Sequence, residues 1–168
     1  SMLFRISKGV DGTVWAARSK FRLEFLHFAN DGSLLDSLHP SASWETFEWK
    51  MGIEFPGDPR YPPPVPRLVG LHIDSSARIW TLVRVPDAHW RAPSSNPPSG
   101  EGEVLTPSEF PAHFDTIVEV RSNQDGSLIA SRRYDGTLTG FTSSGFMWQM
   151  HEDSDGVRRL QLITAYLR

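Results

Sequence analysis

The stretch "FDTIVEVRSNQDGSLIASRRYDG" (114–136) decides the fold class. It contains two β-branched, apolar runs, "DTIVEV" and "SLIASRRY", joined by a turn that includes Asp125-Gly126. Asp-Gly favours tight hairpin turns because glycine adopts positive φ at little cost and aspartate tolerates it. The stretch therefore predicts a β-hairpin. A similar turn and strand, "DGSLLDSL", begins 94 residues earlier at Asp31.

Segments with the same features recur along the whole chain. Each is short, rich in β-branched or aromatic residues, and bounded by turn residues, as is typical of strands. No segment has an apolar period of 3.6 residues over a helical length, so the sequence predicts an all-β fold. The eleven predicted strands are 3–7, 13–18, 22–28, 33–38, 67–73, 78–85, 115–120, 127–134, 138–143, 146–151 and 159–167.

Proline placement separates these strands from two insertions. All 13 prolines lie between Pro40 and Pro111, and none falls within a predicted strand. Proline cannot donate a hydrogen bond to a sheet, so this distribution agrees with consecutive paired strands on either side. The proline-rich segments 40–66 and 86–113 are therefore predicted to be insertions.

Without the insertions the chain is a repeat of about three units. Aligning "DGTVW" (11–15) with "DSSARIW" (74–80) leaves a length difference of 29 residues before the next "DGSL", close to the 28 residues of segment 86–113. Each unit is then a four-stranded meander of the length expected for one propeller blade. The predicted units are 3–39, 67–135 with its insertion, and 137–168, which has only three strands.

Composition describes one globular domain over residues 1–168. Hydrophobic residues are 39% and charged residues 22% of the chain, and the net charge of −3 indicates neither nucleic acid nor an anionic membrane surface as a partner. The absence of cysteine excludes disulfides, thiolate metal sites and a cysteine nucleophile. Localisation stays open: cytoplasmic if Met2 is the native start, extracytoplasmic if the chain is a fragment of a longer secreted protein.

Set out as blades, the segments "DGTVWAAR", "IDSSARIWTLVRVPD" and "GFMWQMHEDSDGVRRLQLI" resemble the repeats of bacterial six-bladed β-propellers of the NHL/TolB-like kind. The resemblance implies a propeller fold of which this chain supplies about half. Trp15, Trp80 and Trp148 recur at the same position of the second strand in each unit, which indicates packing between blades.

The incomplete third unit bears on the assembly. A half-ring exposes apolar blade faces that normally pack on neighbouring blades. We therefore expect a homodimer in which two copies close under two-fold symmetry into a six-bladed ring. The alternative is a fragment of a longer chain that forms an open arc.

Strand parity predicts which end of the scaffold binds a ligand. Connections of an antiparallel meander alternate between its two ends, which places both insertions at one end and most of the Asp-Gly turns at the other. Long loops on a rigid scaffold are the usual place for binding, so this loop-bearing end is the expected ligand face. The candidate ligand-binding residues there are Arg67, Arg84, His89, Trp90, Tyr61 and Glu152.

Residues suited to acid–base chemistry or metal binding are sparse. His113, His151 and Asp115 are the candidate catalytic residues, because histidine and carboxylate side chains from adjacent units can meet at the loop-bearing end. No HExxH, GxSxG, GxGxxG or Walker motif supports a specific chemistry. A structural role for this cluster is the alternative.

Three residues are metal-ligand candidates: His151, Asp153 and His72. Asp153 has an ordinary alternative use in a turn, and His72 as a hydrogen-bonded structural histidine. Period-two alternation places His72 and Asp74 on one side of their strand, with Val69, Leu71 and Ile73 on the other.

Three function classes remain open. The first is a scaffold that binds a small molecule or a protein on its loop-bearing face. The second, implied by the resemblance, is a hydrolase of esters, lactones or phosphotriesters that uses a divalent metal such as calcium in the central channel. The third is a structural role in which a sheet edge pairs with another chain.

Overall fold

The computed structural model describes residues 4–19, 22–45, 63, 65–90, 113–153 and 155–167. Within these ranges the chain is all-β, as predicted, with eleven strands and one short 3-10 helix, Ser43–Glu45. The strands are β1 Arg5–Lys8, β2 Val14–Ser19, β3 Leu23–Phe28, β4 Leu34–Leu38, β5 Arg67–Ile73, β6 Ile79–Pro86, β7 Phe114–Arg121, β8 Leu128–Tyr134, β9 Gly140–Phe141, β10 Met147–Glu152 and β11 Arg158–Ile163.

The strands form three antiparallel sheets in which spatial order follows chain order. Sheet 1 contains β1 to β4, sheet 2 contains β5 to β8, and sheet 3 contains β9 to β11. Each predicted strand is present, although β9 has only two residues where six were expected. Strand β6 extends to Pro86, which the prediction assigned to an insertion; Pro86 is tolerated because it is the last residue of the strand.

The two "DGSL" segments form the same turn in sheets 1 and 2, between the third and fourth strands. In sheet 1 the Ser33 N–H donates to Asp31 Oδ1 at 2.9 Å, and in sheet 2 the Ser127 N–H donates to Asp125 Oδ1 at 3.0 Å. Hydrogen bonds from these serines lower the pKa of both aspartates. The repeated sequence thus marks structurally equivalent hairpins.

Sheets 1 and 2 pack face to face over the larger apolar core. Side chains from alternate positions of each sheet meet there, and the Ile73 N–H donates to Ser7 Oγ at 3.1 Å across the interface. Complete burial of a large apolar side chain contributes about 1.5–3 kcal/mol, so this contact is a main source of stability. The buried residues of this core include Trp15, Ala17, Leu23, Phe25, Leu68, Leu71, Ile73, Ile79, Val83 and Val85.

The opposite face of sheet 2 packs on sheet 3. Leu82, Leu138 and Met147 form the centre of this second core, with Val69 and Phe141 against it. Sheet 2 is therefore covered on both faces, which explains the nearly continuous apolar sequence of β5 and β6.

A bulge in β5 changes which face of sheet 2 some of its side chains occupy. The register between β5 and β6 shifts between Leu68 and Gly70. Leu71 packs toward sheet 1, as expected, but Val69 packs with the sheet 3 core. The prediction that Val69 and Leu71 share one side was wrong, because simple alternation does not account for the extra residue of a bulge.

A buried ion pair joins two residues of β7 in sheet 2. Glu119 is 0% and Arg121 2% exposed, and the Arg121 Nε and Nη2 groups donate to Glu119 Oε2 at 3.1 and 2.9 Å. Arg121 Nη1 also donates to the Gly126 carbonyl at 3.0 Å. The pair therefore ties β7 to the turn that precedes β8.

The outer faces of sheets 1 and 3 are open and apolar within the described ranges. On sheet 1, the face directed away from sheet 2 includes Ile6, 69% exposed, together with Leu26 and Leu34. On sheet 3, the corresponding outer face includes Leu160 and Leu162, which are 59% and 51% exposed.

Asp74 organises the turn between β5 and β6. Its carboxylate accepts hydrogen bonds from the Ser76 and Arg78 N–H groups, from Arg78 Nε and from Trp80 Nε1, at 2.7–2.9 Å. Burial raises the pKa of Asp74, but the hydrogen bonds from Trp80 and Arg78 outweigh burial and lower it below its usual value of 3.8.

We expect Asp74→Ala to lower the free energy of unfolding by about 2 kcal/mol at neutral pH, because several donors lose a charged acceptor. The pKa of Asp74 is lower in the folded protein than in the unfolded chain. The stabilisation that Asp74 provides is therefore complete above the unfolded pKa and is lost as the pH falls through the folded pKa. The difference in the free energy of unfolding between variant and wild type should therefore become smaller below about pH 4. Urea unfolding followed by tryptophan fluorescence measures this, with the exposed Asp155→Ala as control. An equal difference at all pH values would contradict the assigned role.

Candidate functional site

The candidate site lies where several strand ends of sheet 2 meet. Strands β6 and β8 end there, at Pro86 and Tyr134, and β5 and β7 begin there, at Arg67 and Phe114. The connections that lead into β5 and from β6 to β7 attach at this end. It is the loop-bearing end expected from strand parity, and polar residues from four strands come together at it.

A cavity of about 370 Å³ opens between sheets 2 and 3 at this end. Apolar atoms make up most of its surface, and the polar side chains that contribute to it are Arg84, Tyr134, Asp135, Thr139, Gln149 and His151. Tyr134 Oη donates to Gln149 Oε1 at 3.2 Å, and Gln149 Nε2 donates to Gln161 Oε1 at 2.6 Å. This chain of hydrogen bonds fixes the orientation of the Tyr134 and Gln149 side chains across the sheet 2–sheet 3 junction.

Arg84 carries positive charge into the cavity wall. It is the cross-strand partner of Arg67, and its guanidinium group lies 5.7 Å from the centre of the Phe114 ring. Burial, followed by the positive charges of Arg67 and Arg5, lowers the pKa of Arg84. Arg84 therefore lies within the electrostatic influence of a positive charge on β5 and of one on β1.

Three carboxylates approach one another beside the cavity. One oxygen from each of Asp87, Asp115 and Asp135 lies within 4.8 Å of the others. Asp115 is 3% exposed, and its Oδ2 accepts hydrogen bonds from Arg133 Nε at 2.5 Å and from the Ala88 N–H at 3.1 Å. Its buried Oδ1 has no hydrogen-bond partner among the described residues. Carboxylate oxygens are the ligands that calcium and magnesium prefer, so the trio is chemically suited to a divalent cation.

A second cavity, of about 580 Å³, lies over the same end on the sheet 1 side. Trp90, a candidate ligand-binding residue, lines it together with Trp44, Pro63 and Arg133. Tyr61, the other aromatic candidate, lies outside the described residues. This cavity is more apolar in residue type than the one beside Arg84.

The predicted catalytic residues occupy different surroundings. His151 lines the cavity between sheets 2 and 3, whereas Asp115 is held by Arg133 on the opposite side of β7. The carbonyl of His113 accepts a hydrogen bond from the Asp87 N–H at 3.0 Å. Asp87 Oδ1 in turn accepts from the N–H of His89, a predicted ligand-binding residue, at 2.6 Å. His113 and His89 therefore contribute backbone groups to the turn that follows β6.

Two further candidates have local partners. Glu152 pairs with Arg158 at 2.9 Å on an exposed part of sheet 3. Asp153 Oδ1 accepts hydrogen bonds from the Asp155 and Val157 N–H groups, and its Oδ2 pairs with Arg159 at 2.9 Å. The geometry of Asp153 is that of a turn residue.

His72, the remaining metal candidate, lies toward the opposite end of sheet 2. Its ring centre is 5.5 Å from that of Phe141, and Gly145 approaches it so closely that a Cβ there would lie 2.6 Å from His72 Nε2. Burial lowers the pKa of His72, while the charge of Asp74 opposes this. The neutral ring packs between sheets 2 and 3.

The sequence did not group the arginines or the aspartates. Strand parity places Asp87 and Asp135 at the loop-bearing end, but both also fit ordinary turn positions. The approach of Arg5 to Arg84 depends on how sheet 1 packs on sheet 2. The spacing of these residues along the sequence does not indicate that the arginines, or the aspartates, lie close together in the fold.

No family model matches the chain, and no curated protein matches it. The class is therefore defined by the architecture: an all-β protein of two four-stranded antiparallel sheets and one three-stranded sheet, an arrangement compatible with propeller-like blades. In the described ranges, no helix has the length and apolar character needed to cross a membrane.

Proposed function

We propose that this chain is a β-propeller-type scaffold that binds a small molecule at its loop-bearing end, in the cavity between sheets 2 and 3. The cavity itself carries the proposal: its volume of about 370 Å³ falls in the range of small-molecule sites. Its polar side chains come from separate strands of a packed scaffold. Such an arrangement holds hydrogen-bonding groups in fixed positions without a flexible loop.

The cavity chemistry favours recognition over catalysis. Tyr134 Oη donates to Gln149, which is itself held by Gln161, so these groups are oriented rather than poised to transfer a proton. Arg84 supplies a fixed positive charge, and Thr139 a hydroxyl group. His151 is exposed at one side, where it can contact an incoming ligand.

We also propose that the sheets are propeller blades and that a second copy completes the ring. Trp15, Trp80 and Trp148 lie on the same face of sheets 1, 2 and 3, respectively, as the strand registers indicate. In sheet 1 this face packs on sheet 2, and in sheet 2 it packs on sheet 3. In sheet 3 it is the open face.

A second copy of the chain offers the surface that fits this open face. The open face of sheet 1, with Ile6 and Leu34, corresponds to the face of sheet 2 that packs on sheet 1. Contact between the sheet 1 face of one copy and the sheet 3 face of its partner repeats the packing already present twice within the chain. It removes Leu160 and Leu162 from water in the same step.

A metal-dependent hydrolase is the second candidate, and the three aspartates favour it. Asp115 has a buried oxygen without a hydrogen-bond partner among the described residues, and one carboxylate oxygen of each of the three aspartates lies within 4.8 Å of the others, which suits a divalent cation. A bound cation polarises an ester carbonyl or phosphoryl oxygen. Arg133, which holds the other oxygen of Asp115, reduces the negative charge available to the cation.

We expect His151→Trp to abolish ligand binding in the cavity, because the larger ring fills space that a ligand would occupy. Ligand-observed NMR with a fragment library tests this: fragments that bind wild type should lose at least tenfold in affinity for the variant. His39→Trp, an exposed substitution on sheet 1, is the control and should bind normally. Fragments that bind both proteins equally would place the site elsewhere.

We expect the wild-type chain to have the mass of two copies by light scattering, and Leu162→Asp and Ile6→Asp each to be monomeric. The two variants mixed together should form a dimer, because each retains the face that the other has lost. Leu128→Asp, on the outer strand of sheet 2, should remain dimeric. A wild-type monomer, or a mixture that stays monomeric, would contradict this arrangement.

We expect calcium to raise the unfolding temperature of the wild type if the aspartate trio holds a cation, and Asp135→Asn to remove this effect. Asp155→Asn, at an exposed turn, is the matched control. Ester and phosphotriester substrates assayed with and without EDTA then test hydrolysis. No calcium-dependent stabilisation and no turnover would exclude this candidate and leave the binding scaffold.

A further inference from the structure

We propose that the cavity on the sheet 1 side of the loop-bearing end binds a small organic cation of the alkylated ammonium class, beside Trp90 and Asp87. The inference goes beyond the function proposed above, which concerns the cavity on the opposite face of sheet 2. It is carried by an aromatic residue and a carboxylate that one short turn holds together in the wall of an otherwise mostly apolar cavity.

Apolar residues make up most of the wall of this cavity, whose volume is about 580 Å³. Val85 and Ile117 come from neighbouring strands of sheet 2, and both contribute to the core shared with sheet 1. Trp44, which is only 8% exposed, adds a large aromatic residue from the 3-10 helix. A cavity of this size and composition suits a ligand with a substantial apolar part.

The charged groups at the cavity favour a cation. Of the described residues in the wall, Asp87 and Arg133 are charged, and Arg133 is paired with the buried carboxylate of Asp115. Asp87 forms no ion pair within the described part of the chain. Asp135 brings a third carboxylate, since one oxygen of each aspartate lies within 4.8 Å of the others. Three carboxylates and one guanidinium group together have a negative net charge, which attracts a cation.

The turn after β6 fixes Trp90 relative to Asp87. The Trp90 N–H donates to the Asp87 carbonyl at 3.0 Å, which closes a four-residue turn and keeps its first and last residues close together. The turn is attached to β7, because the Ala88 N–H donates to Asp115 Oδ2 at 3.1 Å. The Asp87 N–H also donates to the His113 carbonyl at 3.0 Å. Trp90 and Asp87, which both line the cavity, are therefore held in place before a ligand binds.

The combination of tryptophan with a carboxylate defines the ligand class. A cation over the face of a tryptophan ring is attracted by the electron-rich π system, and aromatic side chains recognise quaternary ammonium ions in this way. Alkyl groups on the nitrogen match the apolar wall, whereas an unsubstituted ammonium ion loses hydrogen bonds to water that apolar residues cannot replace. Asp87 supplies the opposite charge at the same place. The cavity therefore suits an alkylated ammonium ion.

The test is calorimetric titration of the full chain with choline and with its neutral analogue, in which a carbon atom replaces the charged nitrogen. Both titrations are carried out at the same ionic strength, which is set with sodium chloride. Choline should bind at least tenfold more tightly than the neutral analogue, because only choline carries a charge that the carboxylate and the tryptophan ring can attract.

Trp90→Ala and Asp87→Asn should each weaken choline binding by at least tenfold, whereas Trp90→Phe, which keeps an aromatic ring, should lose less than Trp90→Ala. The asparagine can still accept the hydrogen bond that the His89 N–H donates to Asp87 Oδ1, so Asp87→Asn separates the effect of charge from that of structure. Tyr166→Ala and Asp155→Asn change exposed residues outside the cavity, and these control variants should bind like wild type.

Equal affinity for choline and its neutral analogue, no choline binding, or unchanged binding in both Trp90→Ala and Asp87→Asn would overturn the inference. Stabilisation by calcium without choline binding would also overturn it and assign the aspartates to a metal. His151→Trp, which fills the cavity between sheets 2 and 3, should leave choline binding intact, and loss of choline binding in that variant would contradict the assigned cavity. If fragments bind between sheets 2 and 3 but choline does not bind, the proposed function stands and this inference is wrong.

Discussion

Burial of sheet 2 on both faces is the constraint on which the rest of the structure depends. Its strands supply apolar side chains to the core with sheet 1 and to the core with sheet 3. Because sheets 1 and 3 cover both faces of sheet 2, a cavity that is open to solvent can form only at the ends of its strands. Arg84 and Tyr134 are positioned by that central sheet, and His151 by the sheet that packs on it.

Much of the fold could be predicted from the sequence, because its signals are local. Asp-Gly pairs mark hairpin turns, and proline is confined to the two inserted segments, so strand positions and the division into four, four and three strands follow from short stretches. The ends of β9 and the bulge after Leu68 could not be predicted from the sequence, because both depend on packing against neighbouring sheets. The buried Glu119–Arg121 pair was missed for the same reason: alternate charged residues in a strand usually face water.

The candidate site was predictable only in part. Strand parity places Arg67, Arg84 and His151 at one end of the scaffold, and the structure brings Arg84 and His151 into the lining of one cavity. The effect of the Arg5 charge on the pKa of Arg84 depends on how two sheets stack, which no spacing along the chain encodes. Glu152 and Asp153 looked equally suitable in sequence, yet neighbouring residues of the β10–β11 hairpin satisfy their charges.

The agreement between spatial order and chain order of the strands has a consequence for how the protein folds. Neighbouring strands are mostly joined by short hairpins, which form in about 1–10 μs, so most pairings need no search over distant parts of the chain. The long connection between β6 and β7 is the exception within sheet 2, and loop closure there costs more entropy. We therefore expect the hairpins of sheets 1 and 3 to form early, and the β6–β7 pairing to limit the rate at which the stacked sheets assemble.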